Sequence, residues 1–244
     1  LGDVYKRQSY NRQMKAWWVM TMYEVDEQAF QTVETFDELI KLPNSRLTVS
    51  SDAMLNLPET EVYGDFHSEF AKTGTPVYVK GINLISVQDV FYYPALGIII
   101  QRDGGVLPTP YSSASFKLGS NYNEIPNVTD VNGELNFVPP SEAPRLDLCA
   151  VFMPWGALHN YGHFLLDALT SLWEIRNASQ GSLRAVSSPL TKWQKRHIEL
   201  IGMSEMVDEI DGSEEIVHIE KAIYASSMDH WPDPIRWSGV NLSA

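Results

Sequence analysis

Two histidines four residues apart, followed four residues later by an aspartate, mark the stretch LHNYGHFLLDALTSLWEIR, Leu158–Arg176. Three readings fit those residue types. His159 and His163 have the i,i+4 spacing of zinc-binding helices, but the glutamate that follows the first histidine in zinc hydrolases is absent. His163 and Asp167 could instead belong to a catalytic face at the mouth of a cleft. The third reading is an ordinary surface contact, worth about 0.2–0.5 kcal/mol.

The element that must hold these residues is a helix. Asn160 is a favoured N-cap residue and the apolar periodicity starts just after it, which predicts a helix from there to Arg176. At about 100° per residue, His163, Asp167, Thr170 and Glu174 fall in one narrow polar stripe. Phe164, Leu165, Ala168, Leu169, Leu172, Trp173 and Ile175 fill the opposite arc. On this reading His159 precedes the helix and lies off its face, and neither His197 nor His218 has the spacing of a further ligand, so no metal is expected. The first helical turn carries unpaired N–H groups and the positive end of the dipole, a place for an anion. The preceding residues, MPWGALHNYG, read as a strand-to-helix connection, and in open α/β sheets ligands lie outside the carboxyl ends of the strands.

The flanking sequence supports such a sheet. LDLCAVFM, LRAVSS, MVDEI, EIVHIE and AIYASS read as short strands, and LTKWQKRHIELIGM as a second helix closed by Gly202. Alternating strands and helices of this length indicate an α/β layer with a mostly parallel sheet. Upstream, TPVYVKGINLISVQDVFYYPALGIIIQRDGGVL reads as a β-meander with a tight turn at Asp103-Gly104-Gly105. DEQAFQTVETFDELIKL has Phe30, Val33, Phe36, Leu39 and Ile40 near helical spacing. The expected organisation is a non-native or disordered tail over 1–13, a β-rich mixed region over 14–146 with a long loop at 108–145, and an α/β half-domain over 147–244 that stops without a closing element.

Composition narrows the function classes. The 244 residues carry 18 Lys and Arg against 31 Asp and Glu, a formal charge of −13, which repels nucleic acid, and the sequence has no basic run of the kind an anionic membrane surface attracts. No apolar run approaches the roughly 20 residues of a membrane span. The single cysteine, Cys149, lies in an apolar run and reads as a buried strand residue in a reducing compartment. Three N-x-S/T triplets, at Asn127, Asn177 and Asn241, are of the kind that arises by chance. Neither a P-loop, a G-x-G-x-x-G fingerprint nor a G-x-S-x-G elbow is present.

The pattern Asn160-Tyr161-x-His163-x-x-x-Asp167 on an apolar helix resembles the signature of glycosyltransferase family 61, which includes capsular-polysaccharide-type bacterial transferases and eukaryotic protein and xylan transferases. The meander LISVQDVFYYPALGIIIQRDGGVL resembles the family's β-rich entry. LTKWQKRHIELIGM, with Gln194, Leu200 and Gly202 at matching positions, resembles its next helix. The resemblance covers roughly residues 80–230. It departs at Thr170-Ser171, where many members carry Pro-Arg. What it implies is a Rossmann-like half of a two-domain, GT-B-like transferase. Such an enzyme moves a sugar from a nucleotide-sugar donor to a glycan or other hydroxyl acceptor without a bound metal or cofactor. His163 or Asp167 would be the base, with Asn160, Tyr161 and Thr170 contacting substrate. The partner half would follow in the same chain, and the setting would be cytoplasmic, with or without peripheral membrane attachment. Two competing classes are a non-catalytic carbohydrate-binding or scaffold protein derived from a transferase, and a metal-dependent hydrolase using His159 and His163.

Overall fold

The computed structural model describes residues 20–21, 23–24, 29–55, 77–79, 81–107, 125–131, 134–152, 161, 164–210 and 216–226. Strands β1 (Met20–Thr21), β2 (Tyr23–Glu24) and β3 (Gln31–Val33) lead to helix α1 (Phe36–Lys41). Then come β4 (Ser45–Ser50), β5 (Ala53–Leu55), β6 (Val77–Val79), β7 (Ile82–Tyr93), β8 (Ile98–Gln101) and β9 (Gly105–Val106). The chain continues through β10 (Val128–Val131), β11 (Glu134–Phe137) and β12 (Arg145–Val151). A π-helical segment, Phe164–Leu169, runs into α2 (Thr170–Ser179), followed by β13 (Ala185–Ser187), α3 (Lys192–Leu200), β14 (Val207–Glu209) and β15 (Val217–Ala225).

The fold is mixed α/β, built on one ten-stranded sheet with the path β14-β13-β12-β15-β7-β8-β9-β2, with β4 beside β7 and β3 beside β4. The four strands β14, β13, β12 and β15 are mutually parallel, whereas β7 runs antiparallel to β15, β4 and β8. Because β7 pairs with β15 over most of its length, the regions before and after residue 146 share one sheet, and the expected boundary there separates no two sheets.

Strand alternation sorts the core onto two faces. On β12, Ala150 and Phe152 pack with Phe164, Ala168, Leu172 and Ile175 of the helical layer, Ile198 of α3 and Leu39 of α1. Cys149 and Val151 point the other way, toward Ile85, Val87, Ala222 and Tyr224. The alternation then reverses phase along one row of the sheet. On β7 the second face takes Ile85 and Val87 but then Val90 and Tyr92, and on β15 it takes Ala222 and Tyr224 but Val217 and Ile219. Between these lies Asp89, whose φ of 53° is left-handed, a conformation that aspartate tolerates better than most residues.

Several expectations are corrected. The loop expected over 108–145 contains the β10–β11 hairpin, whose Val128 and Phe137 are buried with Phe91, Ile98 and Ile100. EIVHIE and AIYASS are one nine-residue strand, β15. The one or two helical turns expected in 26–42 are α1, held by a capping box in which Thr35 and Glu38 satisfy each other's backbone N–H groups, and Phe30 and Val33 lie outside it, with Gln31–Val33 joining the sheet. The turn at Asp103-Gly104-Gly105 is present: Gly104 N–H donates to Gln101 at 2.9 Å and Gly105 N–H to the Asp103 carboxylate at 3.0 Å.

Candidate functional site

The stretch after β12 does not wind as the regular α-helix its periodicity predicts. Phe164–Leu169 is π-helical, with i→i+5 bonding, and the Thr170 hydroxyl donates to the Leu165 carbonyl, five residues back, at 3.2 Å. Phe164, Ala168, Leu172, Ile175 and Ser179 make up the buried line. Trp173, expected on that buried arc, is instead 42% exposed with the Arg176 guanidinium 5.7 Å from its ring centre. Glu174 is partly buried, which raises its carboxyl above the usual range. Asn160, His163 and the zinc candidate His159 lie outside the described residues, as does the side chain of Asp167, whose backbone belongs to the π-helical segment.

Tyr161 is brought to a neighbour that sequence spacing had not paired with it. Its hydroxyl lies 3.0 Å from Nε2 of His197, and Nδ1 of His197 lies 2.7 Å from the Trp193 carbonyl oxygen one turn back on α3. The Tyr161 ring tilts against Trp193 at 5.7 Å and meets His197 edge-on at 5.3 Å. Beneath it Phe164 packs edge-on against Trp193 at 4.9 Å and against Phe152 at 6.5 Å, which ties the cluster to the sheet. Trp193 and His197 are four apart on α3, so they share a face.

The start of α3 is fixed in turn. Thr191 and Gln194 form a capping box, and Glu209 at the end of β14 accepts from Leu190 N–H at 2.8 Å and pairs with Lys195 at 2.6 Å. Two buried donors in this connection, Ser188 Oγ and Gln194 Nε2, have no hydrogen-bond partner, which is uncommon for buried polar groups. Tyr161 and the α3 N-terminus therefore both lie beyond the carboxyl ends of parallel strands.

A second polar group lies on the sheet itself. His218 Nε2 is 2.6 Å from Asp89, which also takes a bidentate bond from Arg102 at 2.5 and 2.8 Å. Phe91 stacks on His218 at 5.0 Å and lies under the Arg102 guanidinium at 5.3 Å. The hydrogen bonds from Arg102 above all, opposed by burial and joined by His218, hold the Asp89 carboxyl down at about 2. Ionised Asp89 therefore stabilises the fold fully above about pH 4, and that contribution is lost as the pH falls toward 2. Asp89→Asn should flatten the acid limb of a stability–pH profile between pH 4 and 2. At neutral pH it should cost only about 1 kcal/mol, because the carboxylate is half exposed and screened by solvent.

Cys149 is 5% exposed and burial pushes its thiol up to about 12, so at neutral pH it stays a protonated, covered thiol. Iodoacetamide should label it only as fast as the chain unfolds; labelling of the native chain at the rate of a free thiol would contradict its burial. Among the described residues, no group of three or more His, Cys, Asp and Glu side chains is placed to hold a metal ion, and no helix is long and apolar enough to cross a membrane.

Comparison of the chain with protein-family models, with curated proteins and with solved structures finds no match.

Proposed function

We propose that this chain is the Rossmann-like half of a two-domain, GT-B-like sugar transferase of the family 61 type, which moves a sugar from a nucleotide donor to a glycan or other hydroxyl acceptor. The observation that carries the reading is the order of the parallel strands. Numbered from β12 as the first, β14-β13-β12-β15 reads 3-2-1-4: the three strands 3-2-1 of one mononucleotide-binding half, with a fourth beyond the point where the order turns. The order reverses between β12 and β15, and the segment bearing Asn160, Tyr161, His163 and Asp167 leaves the carboxyl end of β12 at that point. One departure is the β14–β15 connection, residues 210–216, which is shorter than the dozen or so residues of a helical crossover.

The chemistry needs a base at the acceptor hydroxyl and positive charge or helix N-termini at the departing diphosphate. His163 or Asp167 takes the first role and the other orients it. The starts of the two helices after β12 and β13 supply the second, with the unpartnered Ser188 and Gln194 donors nearby. Asn160, Tyr161 and Thr170 are the proposed substrate contacts, although the Thr170 hydroxyl proton is already spent on Leu165. No metal or cofactor enters this scheme. The proposed partners are the nucleotide sugar, the acceptor glycan and a second α/β half of the same protein, in the cytoplasm.

The test is a thermal-shift titration with UDP, GDP, CMP and their sugars, on this chain and on one extended through the second half. A ligand at a hundred times its Kd stabilises by about 2.7 kcal/mol, enough to move the melting temperature by several degrees. A shift in the 244-residue chain places donor contacts in this half, and a shift only in the longer chain places them in the other. No shift in either would sink the reading.

A further inference from the structure

We infer that Tyr161, Trp193 and His197 form a carbohydrate-binding ledge on which the phenol oxygen of Tyr161 accepts a hydrogen bond from a sugar hydroxyl. Its place in function rests on the transferase reading; its chemistry rests on the polarity of two hydrogen bonds.

A backbone carbonyl can only accept, so the 2.7 Å contact between His197 Nδ1 and the Trp193 oxygen requires the proton to be on Nδ1. In the uncharged imidazole Nε2 then carries a lone pair. The Tyr161 hydroxyl, 3.0 Å away, must donate to it. A phenol has one proton, so its oxygen is left with lone pairs alone for anything that arrives from solvent. The ring that carries it is 55% exposed and is backed by Trp193 and His197, which hold it against rotation.

An exposed aromatic face beside an oxygen that can only accept selects a particular ligand. A pyranose has an apolar C–H face to lie on the ring and hydroxyls that donate. A phosphate or carboxylate brings acceptors only and meets lone pair against lone pair. A nucleobase shares the flat face and an N–H donor, so the test must separate it from a sugar. The position favours the sugar: Tyr161 packs on Trp193 in the first turn of α3, which follows β13, and it is next in sequence to residues proposed to meet the acceptor hydroxyl.

Two measurements on the 244-residue chain decide the matter. Long-range ¹H–¹⁵N spectra should show neutral His197 as the Nδ1–H tautomer; an Nε2–H ring would overturn the polarity argument. Saturation-transfer NMR should then be run with methyl β-D-xylopyranoside, methyl β-D-glucopyranoside and methyl α-D-mannopyranoside, and separately with uridine and UDP. At least one glycoside should take up saturation through its C–H protons. Tyr161→Phe, which keeps the ring, should weaken that glycoside about threefold to tenfold. Tyr161→Ala should abolish the response, and Trp173→Ala, at the exposed tryptophan of α2, should leave it intact. Silence from every glycoside, a response that survives Tyr161→Ala, or a response to uridine alone would each overturn the ledge. UDP binding without any glycoside response would overturn the ledge and leave the transferase reading standing. A glycoside response with UDP silent here and in the extended chain would keep the ledge and remove that reading.

Discussion

Gly81→Ala should lower stability by about 3 kcal/mol, the upper end for overpacking, and the melting temperature by roughly 6–12 °C for a chain of this size. Gly81 precedes β7 where the chain passes the end of β4. A Cβ built on it would lie 2.1 Å from the Ser50 carbonyl oxygen, 2.8 Å from the Ser51 carbonyl carbon and 2.9 Å from the Asp52 nitrogen. All three are backbone atoms, so no rotamer change relieves the clash. The strand must move, and it is anchored by the Gly81 N–H bond to Asp52 at 2.7 Å and by its pairing with β4 and β15. Gly202→Ala is the informative contrast. Nothing lies within 4 Å of its Cβ, but its φ of +69° is left-handed, which costs a side chain about 1–2 kcal/mol. Gly81→Ala melting as late as Gly202→Ala would show that the β4–β7 contact yields more easily than this packing implies.

Gly81 also shows what kind of information a single sequence withholds. It reads as punctuation in a β-rich stretch, which is right, but the reason no larger residue fits is a strand end thirty residues earlier in the chain. The elements that were legible rest on local signals: the apolar run of β12, the Asp-Gly-Gly turn, and α3 with its stop at Gly202. One local signal runs against the reading of its stretch. Asn132-Gly133 between alternating residues is a strong hairpin signature, yet the Pro, Ser and Asn around it made the whole stretch look like loop. Thr35-x-x-Glu38 marks where the one or two helical turns expected in 26–42 begin. Other features had no local signature. The phase reversal at Asp89 depends on Arg102 and His218 arriving from other strands. The Tyr161–His197 pair joins residues 36 positions apart in the chain. The π-helical turn leaves the i,i+4 spacing of Phe164 and Ala168 looking α-helical, so a fixed 100° rotation misplaced Trp173.

That same turn bears on the proposed catalytic pair. In a chain competent for sugar transfer, Asp167→Asn and His163→Ala should each lower kcat about 10²–10⁴-fold, the range for loss of general acid–base help. The melting temperature should move by only a degree or two, the change expected of a substitution worth about 0.5 kcal/mol or less. Four residues are close to one turn in either helix type, whereas three residues sweep less of a turn in a π-helix than in an α-helix. The winding through Leu169 therefore sets Thr170 further around from Asp167 than a regular helix would, and the Thr170 hydroxyl turns back to Leu165. Phe164 and Ala168, on either side of Asp167 in the chain, are 0% and 5% exposed. They hold the segment against the sheet whatever residue stands at 167, which is why a catalytic defect and a folding defect should separate there. A loss of rate accompanied by a drop of several degrees in both variants would mark the pair as structural. Full rate in both would move the base elsewhere at the carboxyl edge of the sheet, with His197 the first histidine to substitute next.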